Sequence, residues 1–193
     1  MHLLLKVSRA VDAINLRIGK ALALMVLVAV LVSAGNAVVR KVFDVSSNAW
    51  LELQWVLFSA VFLLCAPWTL LSNEHVRIDI VNSTLPPGVR NVIDLIGHAL
   101  FLLPLTIIMI VTATPFFLNS LLLNEQSFSS GGLPQWPAKS LIVIGFALLA
   151  AQGISEIIKR IAIMRGIIPD PYLAQRPALE AEVEQVVDAV EKR

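Results

Sequence analysis

Polar residues along this chain gather in short stretches, and between them lie four long apolar runs, at about residues 21–39, 51–71, 92–118 and 136–158. An α-helix needs roughly 20 mainly apolar residues to cross a hydrocarbon core of about 30 Å. No water in that core can bond backbone N–H and C=O groups, so a spanning segment must satisfy them within itself, as a helix does. The pattern predicts an all-α integral membrane protein with four transmembrane helices. Val32-Ser33-Ala34 loosely fits the cleavage site of a secretory signal. The twenty residues before the first run are long for a signal's charged flank, and apolar character continues past that site through Val38 and Val39, so the run is read as a span.

The segments between the runs carry their own patterns. In residues 1–20, Leu3, Leu4, Val7, Val11, Ile14 and Ile18 recur at near-helical spacing, with Lys6, Arg9, Arg17 and Lys20 among the polar positions. This predicts a basic amphipathic helix lying in an anionic membrane interface. Glu74 to Ile80 alternates polar and apolar residues, but an isolated strand at a membrane edge has no pairing partner. A short in-plane helix through Val81 and Leu85, stopped at Pro86-Pro87-Gly88, is expected instead, restarting near Asn91. The third run is about 40 Å long at roughly 1.5 Å per residue, so it must tilt, bend or protrude, and Pro104 and Pro115 predict kinks within it. Ser127, Ser129, Ser130, Gly131, Gly132 and Pro134 mark an exposed loop before the fourth run. Pro169, Pro171 and Pro177 introduce a stiff linker, and beyond it Leu179, Val183, Val186, Val187 and Val190 alternate with acidic residues as an amphipathic tail.

Composition agrees with the pattern. Of 193 residues, 57% are hydrophobic and 15% charged, against about 45–50% and 25% in soluble domains. The net charge of +1 gives no reason to expect a nucleic-acid partner. The placement of the charge is more informative, because Lys and Arg are retained on the cytoplasmic side. With the N-terminus inside, Lys6, Arg9, Arg17, Lys20, Arg77, Arg90, Lys159, Arg160, Arg165, Arg176, Lys192 and Arg193 are cytoplasmic, and only Arg40, Lys41 and Lys139 are outside. Both termini are therefore expected in the cytoplasm, with Trp50 and Trp136 at the outer boundary.

No Asp, Glu, Lys, Arg or His occupies the middle of any run. Ionisable groups at that depth are costly and are usually functional where found, so the chain offers no midplane ion or proton site of its own. Asn36, Gln54, Ser59, Thr69, Thr106, Thr112 and Gln152 are read as groups that hydrogen-bond between helices, and Ser33-Ala34-Gly35 as a place where helices approach closely. Asp94 and His98 lie one turn apart on one face and are expected to form a satisfied interfacial pair. Cys65 is the sole cysteine, which excludes an intrachain disulfide or a multi-cysteine metal site. No phosphate loop, zinc motif or serine elbow is present, so the chain is not read as an enzyme.

The ordered stretches Asn36-Ala37-Val38-Val39-Arg40, Asn48-Ala49-Trp50-Leu51-Glu52-Leu53-Gln54-Trp55, Asn73-Glu74-His75-Val76-Arg77-Ile78-Asp79 and Leu85-Pro86 resemble the small membrane subunit (DctQ-type) of tripartite ATP-independent periplasmic (TRAP) transporters. Leu133-Pro134-Gln135-Trp136 is similar to the family's segment before the last helix. Where the family carries consecutive acids after the tryptophan, this chain has Leu51-Glu52, then Leu53-Gln54, so a role needing two carboxylates is not carried over. The resemblance implies a bacterial inner-membrane complex in which a large permease subunit carries the substrate and sodium ions. A periplasmic binding protein would deliver an organic acid, such as a 2-oxo acid or C4-dicarboxylate.

On this reading residues 1–20 are the interfacial helix, 21–160 the four-helix domain and 161–193 a linker and acidic tail. The small subunit is a scaffold with no cofactor or substrate site of its own. Arg40, Lys41, Trp50, Glu52, Gln54, Trp55, His75, Arg77, Asp79 and Asp94 would meet the large subunit, the delivery protein or membrane phospholipids. Arg40 is a candidate partner for Glu52 or for lipid phosphate. Two other classes stay open from the residues alone. An independent proton-coupled carrier would need Glu52 or Glu156 deep in the membrane, and a haem-binding respiratory anchor would use His75 and His98.

Overall fold

The computed structural model describes residues 1–44, 47–72 and 86–169. They form α1 (His2–Phe43), α2 (Asn48–Ser72), α3 (Pro87–Ile96), a π-helical turn (Gly97–Leu102), α4 (Leu103–Leu122) and α5 (Trp136–Met164). Four helices are long and apolar enough to cross a membrane: α1, α2, α5 and the continuous rod of α3, π turn and α4. Among the described residues the only β-type pairing is an isolated bridge between Gln126 and Pro134. The expected in-plane helix through Val81 and Leu85 and the acidic tail lie outside the described residues.

α1 is a single helix of 42 residues, about 63 Å long at roughly 1.5 Å per residue. No break separates residues 1–20 from the apolar run that follows. Its buried positions explain why. Ser8, Asn15, Leu22 and Ala29 are all buried and stand seven residues apart, the repeat that keeps one seam of a helix against its neighbours. That seam carries helix–helix contact across the Lys20–Ala21 junction. The apolar positions that mark residues 1–20 as amphipathic point the other way, with Leu3 74% and Ile14 51% exposed. The polar stripe packs inward and the apolar stripe faces out, the reverse of a helix dissolved in water.

The third membrane-length helix begins earlier than the sequence indicated. Pro86 caps it and Pro87 occupies its first turn, where a missing N–H costs nothing. The rod reaches Leu122, 35 residues from Gly88. The disruption expected at Pro104 takes the form of the π turn just before it: Leu103 N–H bonds to His98 O, five residues back. Proline cannot donate to the carbonyl four residues earlier and its ring crowds it, and widening the preceding turn relieves that crowding. Pro115 sits inside α4 without ending it.

α5 is the central element, packing against α1, α2, α3, the π turn and α4. Two glycines permit its closest approaches. A Cβ at Gly145 would lie 2.9 Å from both Cβ and O of Leu63, and one at Gly153 would lie 2.9 Å from the Leu102 side chain. The Leu63 contact has a cause in α2: Pro67, inside that helix, removes the N–H that would have bonded the Leu63 carbonyl. The exposed carbonyl sits where only a glycine backbone fits. α1 meets α2 equally tightly, since a Cβ at Gly19 would overlap the Trp68 ring at 2.5 Å.

These contacts give the bundle two ends. One carries the loop 123–135, the end of α1 and the start of α2. The other, the base, carries the first turns of α1, the end of α2, α3 and the last turns of α5.

Candidate functional site

At the base, α1 and α5 are joined by a buried network of side chains. Gln152 Nε2 donates to Asp12 Oδ1 and to Glu156 Oε1, both at 2.9 Å, so Gln152 Oε1 is left to accept from Asn15 Nδ2 at 2.7 Å. Ser155 Oγ donates to Asp12 Oδ1 at 2.9 Å, and the Ser8 and Ser155 hydroxyls lie 2.7 Å apart. Lys159 Nζ spans both acids, 3.2 Å from Asp12 Oδ2 and 2.5 Å from Glu156 Oε1. Gln152, Ser155, Glu156 and Lys159 recur at spacings of three and four, which places them on one face of α5. Two carboxylates against one ammonium leave the network one negative charge in surplus, softened by hydroxyl and amide donors. Within it, Asn15 Oδ1 is buried and accepts no hydrogen bond.

A second junction ties α3 to α5. Arg160, 6% exposed, donates from Nη1 to Asn91 Oδ1 at 3.0 Å and pairs through Nη2 with Asp94 Oδ2 at 3.1 Å. Asp94 is thus engaged across helices, one turn before the buried His98. Its forked guanidinium makes Arg160 suited to holding an amide and a carboxylate at once.

At the loop end Glu52 is a fastener. Its carboxylate accepts the Ser127 hydroxyl and the Leu133 backbone N–H, the latter at 2.6 Å. Asn48 Nδ2 donates to the Ser130 carbonyl at 3.0 Å. The loop is not slack. Ser127 N–H bonds to Leu133 O and Gln135 N–H to Glu125 O, and Gly132 leaves no room for a Cβ beside Ser127 and Glu52 Oε1. Lys139 closes the base of the loop, paired with Glu125 and lying 4.0 Å over the Phe116 ring. The Lys139 hydrogen bond, the largest influence, holds the Glu125 carboxyl below its ordinary value of 4.5.

The residues singled out from the sequence therefore divide. Glu52 and Asp94 are engaged inside the chain, and Glu52 is held by the loop rather than by Arg40. Arg40 and Lys41 are exposed and form no ion pair among the described residues. Trp50 and Trp55 are exposed, Trp55 at 65%. Gln54 is half-buried. His75, Arg77 and Asp79 lie outside the described residues.

Of the polar groups read as cross-helix bonds, Gln152 makes them. Thr69, Thr106 and Thr112 instead donate to carbonyls of their own helices, Cys65, Leu103 and Ile108. The close approach expected at Ser33-Ala34-Gly35 occurs at Gly19, Gly145 and Gly153. A Cβ at Gly35 would touch nothing within 4 Å, and Gly35 borders an open groove of about 500 Å³ with Leu31, Val32, Asn36, Val39 and Trp50. A smaller recess of about 190 Å³ lies beside Glu52, Trp55, Ser59 and Gln135.

Three features were missed in the sequence: the Asp12–Gln152 network, the Arg160 junction, and an outward aromatic stripe of Trp55, Phe58 and Phe62 on α2. The first had a signal in the seven-residue spacing of Ser8 and Asn15 and in the polar face of α5. The third had one in its three- and four-residue spacing.

The two base junctions and the loop fastener consume charge within the chain and lock helices together. Among the described residues no group of three or more His, Cys, Asp or Glu could hold a metal ion. Neither curated proteins nor solved structures give a match to this sequence. A family profile does: the one described as tripartite ATP-independent periplasmic transporters, DctQ component, matches residues 28–162. That span takes in the greater part of the chain and all four membrane-length helices at least in part, and the chain belongs to the DctQ family of TRAP transporter components.

Proposed function

We propose that this small TRAP permease subunit is a static scaffold. It holds a large, sodium-coupled subunit in the bacterial inner membrane for uptake of an organic acid, a 2-oxo acid or C4-dicarboxylate, delivered by a periplasmic binding protein. One observation carries the reading: residues 21–39, 53–72, 99–122 and 140–155 contain no Asp, Glu, Lys, Arg or His, while the acids Glu52, Asp94 and Glu156 near the helix ends are held by donors within the chain. A carrier that moves ions or protons needs a titratable or coordinating group at depth that is free to change partners. Glu52 and Glu156, the acids a proton-coupled carrier would use, are each held by two donors here.

The reading places the base in the cytoplasm, where Lys6, Arg9, Arg17, Lys159, Arg160 and Arg165 cluster, and the loop end outside. In that orientation the first turns of α1 carry exposed leucines and basic residues into the inner interface as the interfacial segment. The large subunit is assigned to the outward face of α2, where Gln54, with no hydrogen bond among the described residues, stands beside the three exposed aromatic rings of Trp55, Phe58 and Phe62. His75, Arg77 and Asp79 are assigned to fixing the inner connection at headgroup level.

The test is reconstitution. Liposomes containing this chain with its large partner and the binding protein are expected to accumulate the acid on a sodium gradient. Liposomes with this chain alone are expected to accumulate none, and accumulation by the chain alone refutes the scaffold role.

A further inference from the structure

Gly35 has no reason for being glycine within this chain. A Cβ there would meet nothing within 4 Å, and glycine in a helix interior costs about 0.8–1.0 kcal/mol relative to alanine. What the missing side chain does is keep open the groove between α1 and the start of α2. Its lining changes in order along α1. Leu31, Val32, Gly35 and Val39 are apolar, with Asn36 on the same wall; Asn36 makes no hydrogen bond among the described residues; and Arg40, just beyond the lining and one turn after Asn36, is exposed with no ion pair among the described residues. At about 1.5 Å per residue, Val32, Asn36 and Arg40 are about 6 Å apart in succession.

The mouth is electropositive. Arg40 and Lys41 in the last turn of α1 outnumber the acid at its end, Asp44, and α2 begins at Asn48 with no acid in its first turn, so the positive end of α2's dipole opens on the same mouth. Trp50 supplies a wall of the kind favoured at membrane interfaces.

We propose that this groove binds one anionic glycerophospholipid. The phosphate sits at Arg40, Lys41 and the first turn of α2, an ester carbonyl accepts from Asn36, and one acyl chain lies over Gly35, Val32 and Leu31. The order of cation, amide and apolar floor follows the order of phosphate, ester and chain. A bare hydrocarbon tail would leave Asn36 unsatisfied, and a free phosphate would leave the apolar floor empty. The inference rests on these helices spanning a bilayer, and it is independent of whether the chain is a scaffold.

Native mass spectrometry of the full chain, released from detergent micelles doped with phosphatidylglycerol or phosphatidylcholine, reads the site directly. The wild type is expected to retain one phosphatidylglycerol in preference to phosphatidylcholine. Each of Arg40→Gln and Lys41→Gln should lower occupancy about fivefold, from about 1 kcal/mol per basic residue near a lipid surface. Gly35→Leu, which fills the groove where nothing opposes a side chain, should abolish retention while thermal stability holds. Arg17→Gln, an exposed charge at the other end, should change nothing. Equal retention by wild type, Arg40→Gln and Gly35→Leu overturns the proposal. So does a Gly35→Leu chain that keeps its lipid but no longer co-purifies with the large subunit, which assigns the groove to a protein helix.

Discussion

Arg160 and Glu125 show how differently one ion pair can behave from another in the same bundle. The Arg160–Asp94 pair is withdrawn from solvent, with side chains 7% and 11% exposed. Removing Arg160 takes both the guanidinium paired with Asp94 and the donor to Asn91 out of a buried site. Arg160→Met is therefore expected to destabilise the bundle by about 3–5 kcal/mol, read as a lower midpoint in detergent unfolding. The double variant Arg160→Met, Asp94→Leu should recover part of that loss, because the carboxylate that Arg160 faced is removed with it. Glu125 lies at the wet end of the molecule, and its pairing with Lys139 reads out against pH instead. Its carboxyl titrates below its unfolded value, so the contribution is full above about 4.5 and disappears as pH falls through the lowered folded value. Thermal melting of wild type and Glu125→Gln should differ at neutral pH and converge on acidification; a difference that persists at low pH contradicts the assignment.

At the scale of whole helices, the contact between α2 and α5 turns on one proline and one glycine. Pro67 frees the Leu63 carbonyl, and Gly145 lets α5 lie against it. Gly145→Val is expected to push the helices apart, at about 1–3 kcal/mol as for other overpacked interiors, whereas Gly35→Val, in open space, should leave stability unchanged. Equal melting of both variants would show that glycine placement does not control packing here. The contrast also shows what the sequence made legible. The existence of four membrane-length helices follows from apolar run length, because lipid imposes a length and forbids interior charge, whereas the early starts of the first and third do not. Which small residues mediate contact does not follow, since Gly35 and Gly145 look alike until neighbouring helices are placed. The start of α1 has to be read differently for a related reason. A stripe of Leu, Val and Ile marks the buried face of a helix in water, but in a membrane protein the solvent is itself apolar. The informative stripe was the polar one, Ser8, Asp12 and Asn15, whose hydrogen bonds have to be met inside. The donors that Glu52 holds, Ser127 and Leu133, were not legible, because they lie far along the chain in a loop whose path the apolar pattern does not set.

The whole molecule has one richly packed helix and broad faces left open. α5 touches every other described helix, while the outward sides of α1, α2 and α4 are lined by exposed leucine, isoleucine, valine and phenylalanine. Lipid can cover most of that surface, but the stripe of Trp55, Phe58 and Phe62 beside Gln54 differs from it. Gln54 forms no hydrogen bond among the described residues, and an amide on an outward helix face is better met by another polypeptide than by a lipid tail. Large aromatic rings next to such a group resemble the residues that dominate protein interfaces. Trp55→Ala combined with Gln54→Leu is accordingly expected to reduce recovery of the large subunit in affinity purification by about tenfold or more, at the 2 kcal/mol or so typical of an aromatic anchor. The melting temperature of the isolated small subunit should hold, because the Trp55 ring is mostly exposed and Gln54 makes no hydrogen bond among the described residues. Undiminished recovery of the partner would move the interface to another face, and a lowered melting temperature would make these residues part of this chain's own packing.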